Sequence, residues 1–158
     1  MRTLRLLFLF ILAMAAQWWW GAHFTIAGVA PQLLLVLTVV LSARLGPVKG
    51  MFLGFGWGLF LDVLSAHLFG ANALALTLAA YAAGMARRQL DVKDLAPQCM
   101  IVFFMTWGYF LTLGALGAFF LKSFFWVGWP SFAVDPFYNC LVAVAAYPFW
   151  GSWLEPAR

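Results

Sequence analysis

The sequence predicts an all-α integral membrane protein, a bundle of six transmembrane helices with both termini in the cytoplasm. Three observations predict it: a shortage of charge, a series of six apolar runs, and the placement of the basic residues. Of 158 residues, 66% are hydrophobic and 9% charged, with mean hydropathy +0.96. A soluble domain carries about 25% charged residues. So few charges cannot cover a surface that faces water, so most of this surface is expected to face lipid. A spanning helix needs about 20 residues, and six short spans nearly exhaust the chain. One transmembrane domain over residues 1–158 is therefore expected, with no separate soluble domain.

The first run covers residues 4–21, with Arg2 and Arg5 at its start. Trp18, Trp19 and Trp20 close it and read as an interfacial aromatic anchor. Ala13-Met14-Ala15 also resembles the cleavage site of a signal peptide. We expect the span to be retained, and the orientation of the remaining spans is the same either way. The second run, residues 26–43, carries Pro31 near its start, where a missing N–H costs a helix nothing. Arg44, Gly46, Pro47 and Lys49 form a short basic turn before the third run, residues 50–64, which is glycine-rich and contains Asp62. His67 to Gly70 make another turn. The fourth run, residues 71–86, stops at Arg87-Arg88, and a polar stretch to Asp94 reads as a loop.

The fifth run covers residues 97–121 and ends by Lys122. Phe124, Phe125, Trp126 and Trp129 follow and are placed at a headgroup boundary. Asp135-Pro136 reads as an N-cap followed by proline in the first helical position, opening a sixth run over residues 136–150. With the N-terminus inside, Arg2, Arg5, Arg44, Lys49, Arg87, Arg88, Lys93 and Arg158 fall on the cytoplasmic side. Only Lys122 falls outside, so eight of nine basic residues lie on one face. The positive-inside rule requires only a bias. The net charge of +4 is thereby assigned to membrane orientation and lipid headgroups, not to nucleic acid.

The most specific pattern lies in the third and fourth runs. Gly50, Gly54 and Gly58 recur every four residues and Asp62 continues the series. Steps of four advance slowly around a helix, so these positions share a stripe that admits close backbone approach. Ala71, Ala75, Ala79 and Ala83 give the fourth run a small-residue stripe of its own. Packing between helices of this chain is one reading; a ligand cleft or a groove for a partner helix is the other. Asp62 is the one acid well inside an apolar run. It is either a proton- or substrate-linked site, as intramembrane acids often are, or a structural acceptor for nearby backbone N–H groups, Ser65 or Asn72.

Other chemistry is not proposed by the sequence. His23 and His67 are isolated, Cys99 and Cys140 have no CxxC spacing, and no paired carboxylates or nucleophile motif is present. No catalytic residue, metal or cofactor is expected.

Gly46-Pro47, the block Gly54-Phe55-Gly56-Trp57-Gly58-Leu59-Phe60-Leu61-Asp62, then Gly70, Leu76-Thr77, Tyr81 and Gly84 resemble the core signature of the MreD family of bacterial rod shape-determining membrane proteins. Pro31-Gln32-Leu33-Leu34-Leu35 is similar to the start of that family's second helix, with Gln32 where the family usually has an acid. The likeness covers Pro31 to Arg88, roughly a third of the chain. It implies a non-enzymatic scaffold in the bacterial inner membrane that binds MreC. MreB filaments, RodA and a class B penicillin-binding protein are implied as partners in lateral peptidoglycan synthesis. It also implies a fold similar to the substrate-binding subunits of energy-coupling vitamin transporters. A transporter subunit would need an outward polar cavity lined by Asp62, Asn72 or Tyr81, although Ala13, Ala15 and Ala16 lack the AxxxA docking spacing of that group. A lipid-modifying enzyme, resting on Asp62 and the two histidines, lacks an acid–base pair.

Overall fold

The computed structural model describes residues 2–23, 31–65, 68–87, 89–90, 94–122, 124 and 127–154. Among them the regular structure is entirely helical, in six helices: α1 (Arg2–His23), α2 (Leu33–Leu45), α3 (Pro47–Leu64), α4 (Ala71–Ala86), α5 (Leu95–Leu121) and α6 (Trp129–Leu154). Two of these, α3 and α5, are long and apolar enough to cross a membrane.

A helix that is apolar all round has no face to give to water and must be enclosed. α2 is such a helix: every residue from Leu34 to Ala43 is buried. It forms the axis of the bundle, with α1, α3, α4, α5 and α6 packed against it. Two hydroxyls inside this apolar axis and in α5 turn back onto their own helices. Thr38 Oγ1 donates to the Leu34 carbonyl at 2.7 Å and Thr106 Oγ1 to the Val102 carbonyl at 2.8 Å. The outer surface has the opposite character to a soluble protein's. Phe52 on α3 is 77% exposed and Phe119 on α5 is 81% exposed. They belong to a nearly continuous apolar exterior, which water would not sustain on a monomer.

The expected boundaries shift most at the starts of three helices. α3 starts at Pro47 instead of residue 50, because Gly46 alone makes the turn, at φ 98°, and Pro47 fits the first helical turn. Lys49 lies within the helix. α6 starts at Trp129, two turns before the expected cap at Asp135. Gly128, at φ 92°, ends the preceding segment and Pro130 occupies the first turn, so Asp135 and Pro136 are interior residues. α2 starts at Leu33, so Pro31 and Gln32 precede the helix and Pro31 does not lie in its first turn as expected. Residue 26 itself lies outside the described residues, as do His67 and Trp126.

An interior proline leaves the carbonyl four residues back without its helical donor. For Pro136 that carbonyl belongs to Phe132, and the Trp107 indole Nε1 of α5 donates to it at 3.0 Å. The two rings also stack, with centroids 5.8 Å apart. Trp107→Phe keeps the stacking and removes the indole donor to that carbonyl. We expect it to cost about 0.5–1.5 kcal/mol of stability in detergent unfolding. A change near zero would show that this bond does not support the α5–α6 contact.

Candidate functional site

The polar side chains of this bundle collect at the end where α2 and α4 begin, because a helix start leaves N–H groups that need acceptors. Neither Gln32 nor Gly70, the residues before these helices, caps with its own side chain. Other helices supply the acceptors. At α4, Asp62 reaches across from α3. Its Oδ1 accepts from the Asn72 backbone N at 2.9 Å and from Asn72 Nδ2 at 3.0 Å, and its Oδ2 accepts from the Ala73 N at 2.9 Å. Asp62 is 2% exposed, and the positive end of the α4 dipole balances its charge. The Tyr109 hydroxyl of α5 then donates to Asn72 Oδ1 at 2.5 Å. One network thus ties α3, α4 and α5.

α2 is capped in the same manner. The Gln32 N donates to Asn139 Oδ1 of α6 at 2.9 Å, and the Leu34 N donates to Gln17 Oε1 of α1 at 3.2 Å. Asn139 Nδ2 donates onward to Thr106 Oγ1 at 3.1 Å. Nearby, Trp20 Nε1 donates to the Tyr138 hydroxyl at 2.7 Å, so the Trp18-Trp19-Trp20 anchor divides. Trp20 ties α1 to α6, while Trp18 and Trp19 point outward, as does Trp129.

Gln17, Gln32, Ser65, Asn72 and Tyr109 line a cavity of about 180 Å³ between these two capped ends. Asp62 and Tyr81 do not line it. Tyr81 lies on the exposed side of α4, apart from the other candidates.

The glycine stripe packs within the chain. A Cβ on Gly54 would sit 2.6 Å from the Leu76 carbonyl oxygen, and one on Gly58 would sit 2.6 Å from the Asn72 carbonyl and 2.7 Å from the Ala73 N. One on Gly50 would meet Ser42 Cβ at 2.6 Å. On α4 the facing residues are Ala73, Leu76 and Ala80. Ala75, Ala79 and Ala83 are buried on an adjoining side of the same helix. Gly84 meets the Pro47 backbone, at 2.5 Å from a notional Cβ. Gly70 adopts φ 93°, which suits glycine at the turn into α4. At the opposite end of the bundle, Arg87 Nη1 donates to the Arg44 carbonyl at 3.0 Å, closing the end of α2.

Sequence reasoning passed over Gln17, Asn139 and Tyr109, and took Asp135 for a helix cap where it is a buried residue inside α6. The available signal was a carboxamide or acid isolated in an apolar run, as for Asp62. Asp135 is 3% exposed, and its Oδ1 has no hydrogen-bond partner. Chemically, the cluster holds helix ends. Both oxygens of Asp62 are committed to donors. Among the described residues no three His, Cys, Asp or Glu side chains gather to hold a metal. Cys99 and Cys140 are free thiols, with Cys140 Sγ donating to the Cys99 carbonyl at 3.2 Å.

The family model of the rod shape-determining protein MreD matches residues 1–154. No curated protein and no solved structure matches the chain. With an all-helical bundle, an apolar exterior and a family match running almost end to end, the chain belongs to the MreD family of membrane-associated rod shape-determining proteins.

Proposed function

We propose that this chain is a non-enzymatic scaffold of the bacterial cell-elongation machinery, spanning the inner membrane six times with both termini cytoplasmic. In this reading it binds MreC and helps direct lateral peptidoglycan synthesis alongside MreB, RodA and a class B penicillin-binding protein. The family match over residues 1–154 carries the reading. The distribution of side chains supports it. Polar groups turn inward to cap helices, and the exterior offers exposed rings such as Phe52, Phe55 and Phe104. Between apolar neighbours in lipid, packing of such surfaces is what drives helices together.

Co-purification with MreC from detergent tests the proposal. We expect Phe52→Ala with Phe55→Ala to weaken recovery of MreC while the protein itself stays folded. Gly54→Leu acts on the α3–α4 seam and should lose both fold and complex. An undiminished complex in every exposed-face variant, or no complex with the native chain, overturns the docking assignment. Topology is tested separately by reporter fusions after residues 45, 87 and 122, with the first two expected in the cytoplasm and the third outside. A transporter subunit is less well supported, since only Asn72 of its three expected residues lines the cavity.

A further inference from the structure

The cavity between the capped starts of α2 and α4 has an unusual balance of hydrogen-bonding groups. Gln17 uses its Oε1 on the Leu34 N, which leaves its amide N–H groups. Gln32 contributes only its backbone N–H to Asn139, so its side-chain amide retains both a donor and an acceptor. Asn72 spends one N–H on Asp62 and its oxygen on Tyr109, which leaves one N–H. Tyr109 donates its hydroxyl proton and keeps an oxygen lone pair, and Ser65 donates to the Asp62 carbonyl at 3.3 Å and keeps its own. Five side chains from five segments thus present both donors and acceptors to one space.

Among the described residues no charged side chain lines that space. Asp62, the nearest acid in the network, has both oxygens engaged by Asn72 and Ala73. Leucines of α2, α3 and α4 complete the wall. In an apolar surrounding, polar groups left without partners are costly, and they call for an occupant that bonds to them. A wall of this kind rejects ions, which would be desolvated with no counter-charge. It favours a molecule that carries hydroxyl or amide groups together with some carbon surface.

We propose that this cavity is a binding site for a small neutral solute bearing hydroxyl or amide groups, held chiefly by the Gln17 and Gln32 carboxamides and the Tyr109 hydroxyl. The volume of about 180 Å³ equals about six waters. That limits the occupant to on the order of six to ten non-hydrogen atoms at protein packing density.

Saturation-transfer NMR on the purified full chain in lipid nanodiscs tests this, with erythritol and N-acetylethanolamine as neutral probes and acetate and tetramethylammonium as charged ones. Saturable binding of at least one neutral probe, and of neither ion, is expected. Gln32→Leu removes both free groups of one carboxamide and should weaken that binding about tenfold or more. Ser65→Leu narrows the cavity without touching either carboxamide and should weaken it as well. Both variants must retain native helicity and thermal stability, and the pair keeps the test open should one fail to fold. Failure of both neutral probes to saturate shows a space filled by water alone and overturns the proposal. So does binding that neither variant alters, or binding of the ions equal to that of the neutral probes.

Discussion

Asp62→Ala is expected to lower the stability of the bundle by about 3 kcal/mol or more, because it strands three donors at once. The carboxylate takes the Asn72 and Ala73 backbone N–H groups and the Asn72 side chain. Alanine offers none of them an acceptor, and Ala73 is buried where α4 meets α3, so its N–H gains little from water. Tyr109 is affected as well, since its partner Asn72 is oriented by Asp62. Asp62→Asn keeps one acceptor and turns an amide N–H toward a backbone donor, so an intermediate loss is expected. Unfolding in SDS followed by circular dichroism measures both. A loss below about 1 kcal/mol for the alanine variant would contradict the capping role. The same pair of variants separates structure from function. If Asp62→Asn folds normally yet fails to support rod shape, Asp62 does more than hold α4.

Gly58→Ala should be about as damaging, for a different reason. The added methyl would press on the Asn72 carbonyl and the Ala73 backbone. These are main-chain atoms at the start of α4, held in place by the bonds to Asp62, so they cannot swing aside as a side-chain tip does. Ordinary overpacking costs about 1–3 kcal/mol. Here the helices must separate, and about 3 kcal/mol or more is expected, accompanied by weakening of the Asp62 bonds. Gly56 provides the control. It lies on the exposed side of the same helix, with nothing within 4 Å of a notional Cβ. Gly56→Ala should therefore be neutral or stabilise by up to about 1 kcal/mol through helix propensity alone. Equal losses at Gly56 and Gly58 would show that glycine flexibility, and not α3–α4 contact, is what matters.

How much of the site was legible varies residue by residue. Asp62 stood out because a carboxylate is rare in an apolar run, and its use of Asn72 followed from proximity in sequence. Tyr109 and Asn139 did not stand out, because a tyrosine or asparagine in an apolar run is common enough to be packing. Their importance comes from meeting Asn72 and Gln32, which are 37 and 107 positions away. The early start of α6 was hidden because Asp135-Pro136 carries the local signature of a helix start. The stronger stop at Gly128 depends on a backbone angle that composition does not display.

The sequence by itself determined the helical class, the approximate helix positions, the glycine stripe and the family. Each of these depends on composition or on spacing of a few residues, which local backbone preference and the need to pair every backbone group translate directly into helices. Only the tertiary structure decided that the glycines face α2 and α4, and that Asp62 caps α4. It alone showed that α2 is enclosed on every side and that five neutral polar groups share one cavity. In an apolar protein, inward and outward faces carry the same residue types, so periodicity gives no direction. Direction comes instead from which helix ends need acceptors and which distant side chains can reach them.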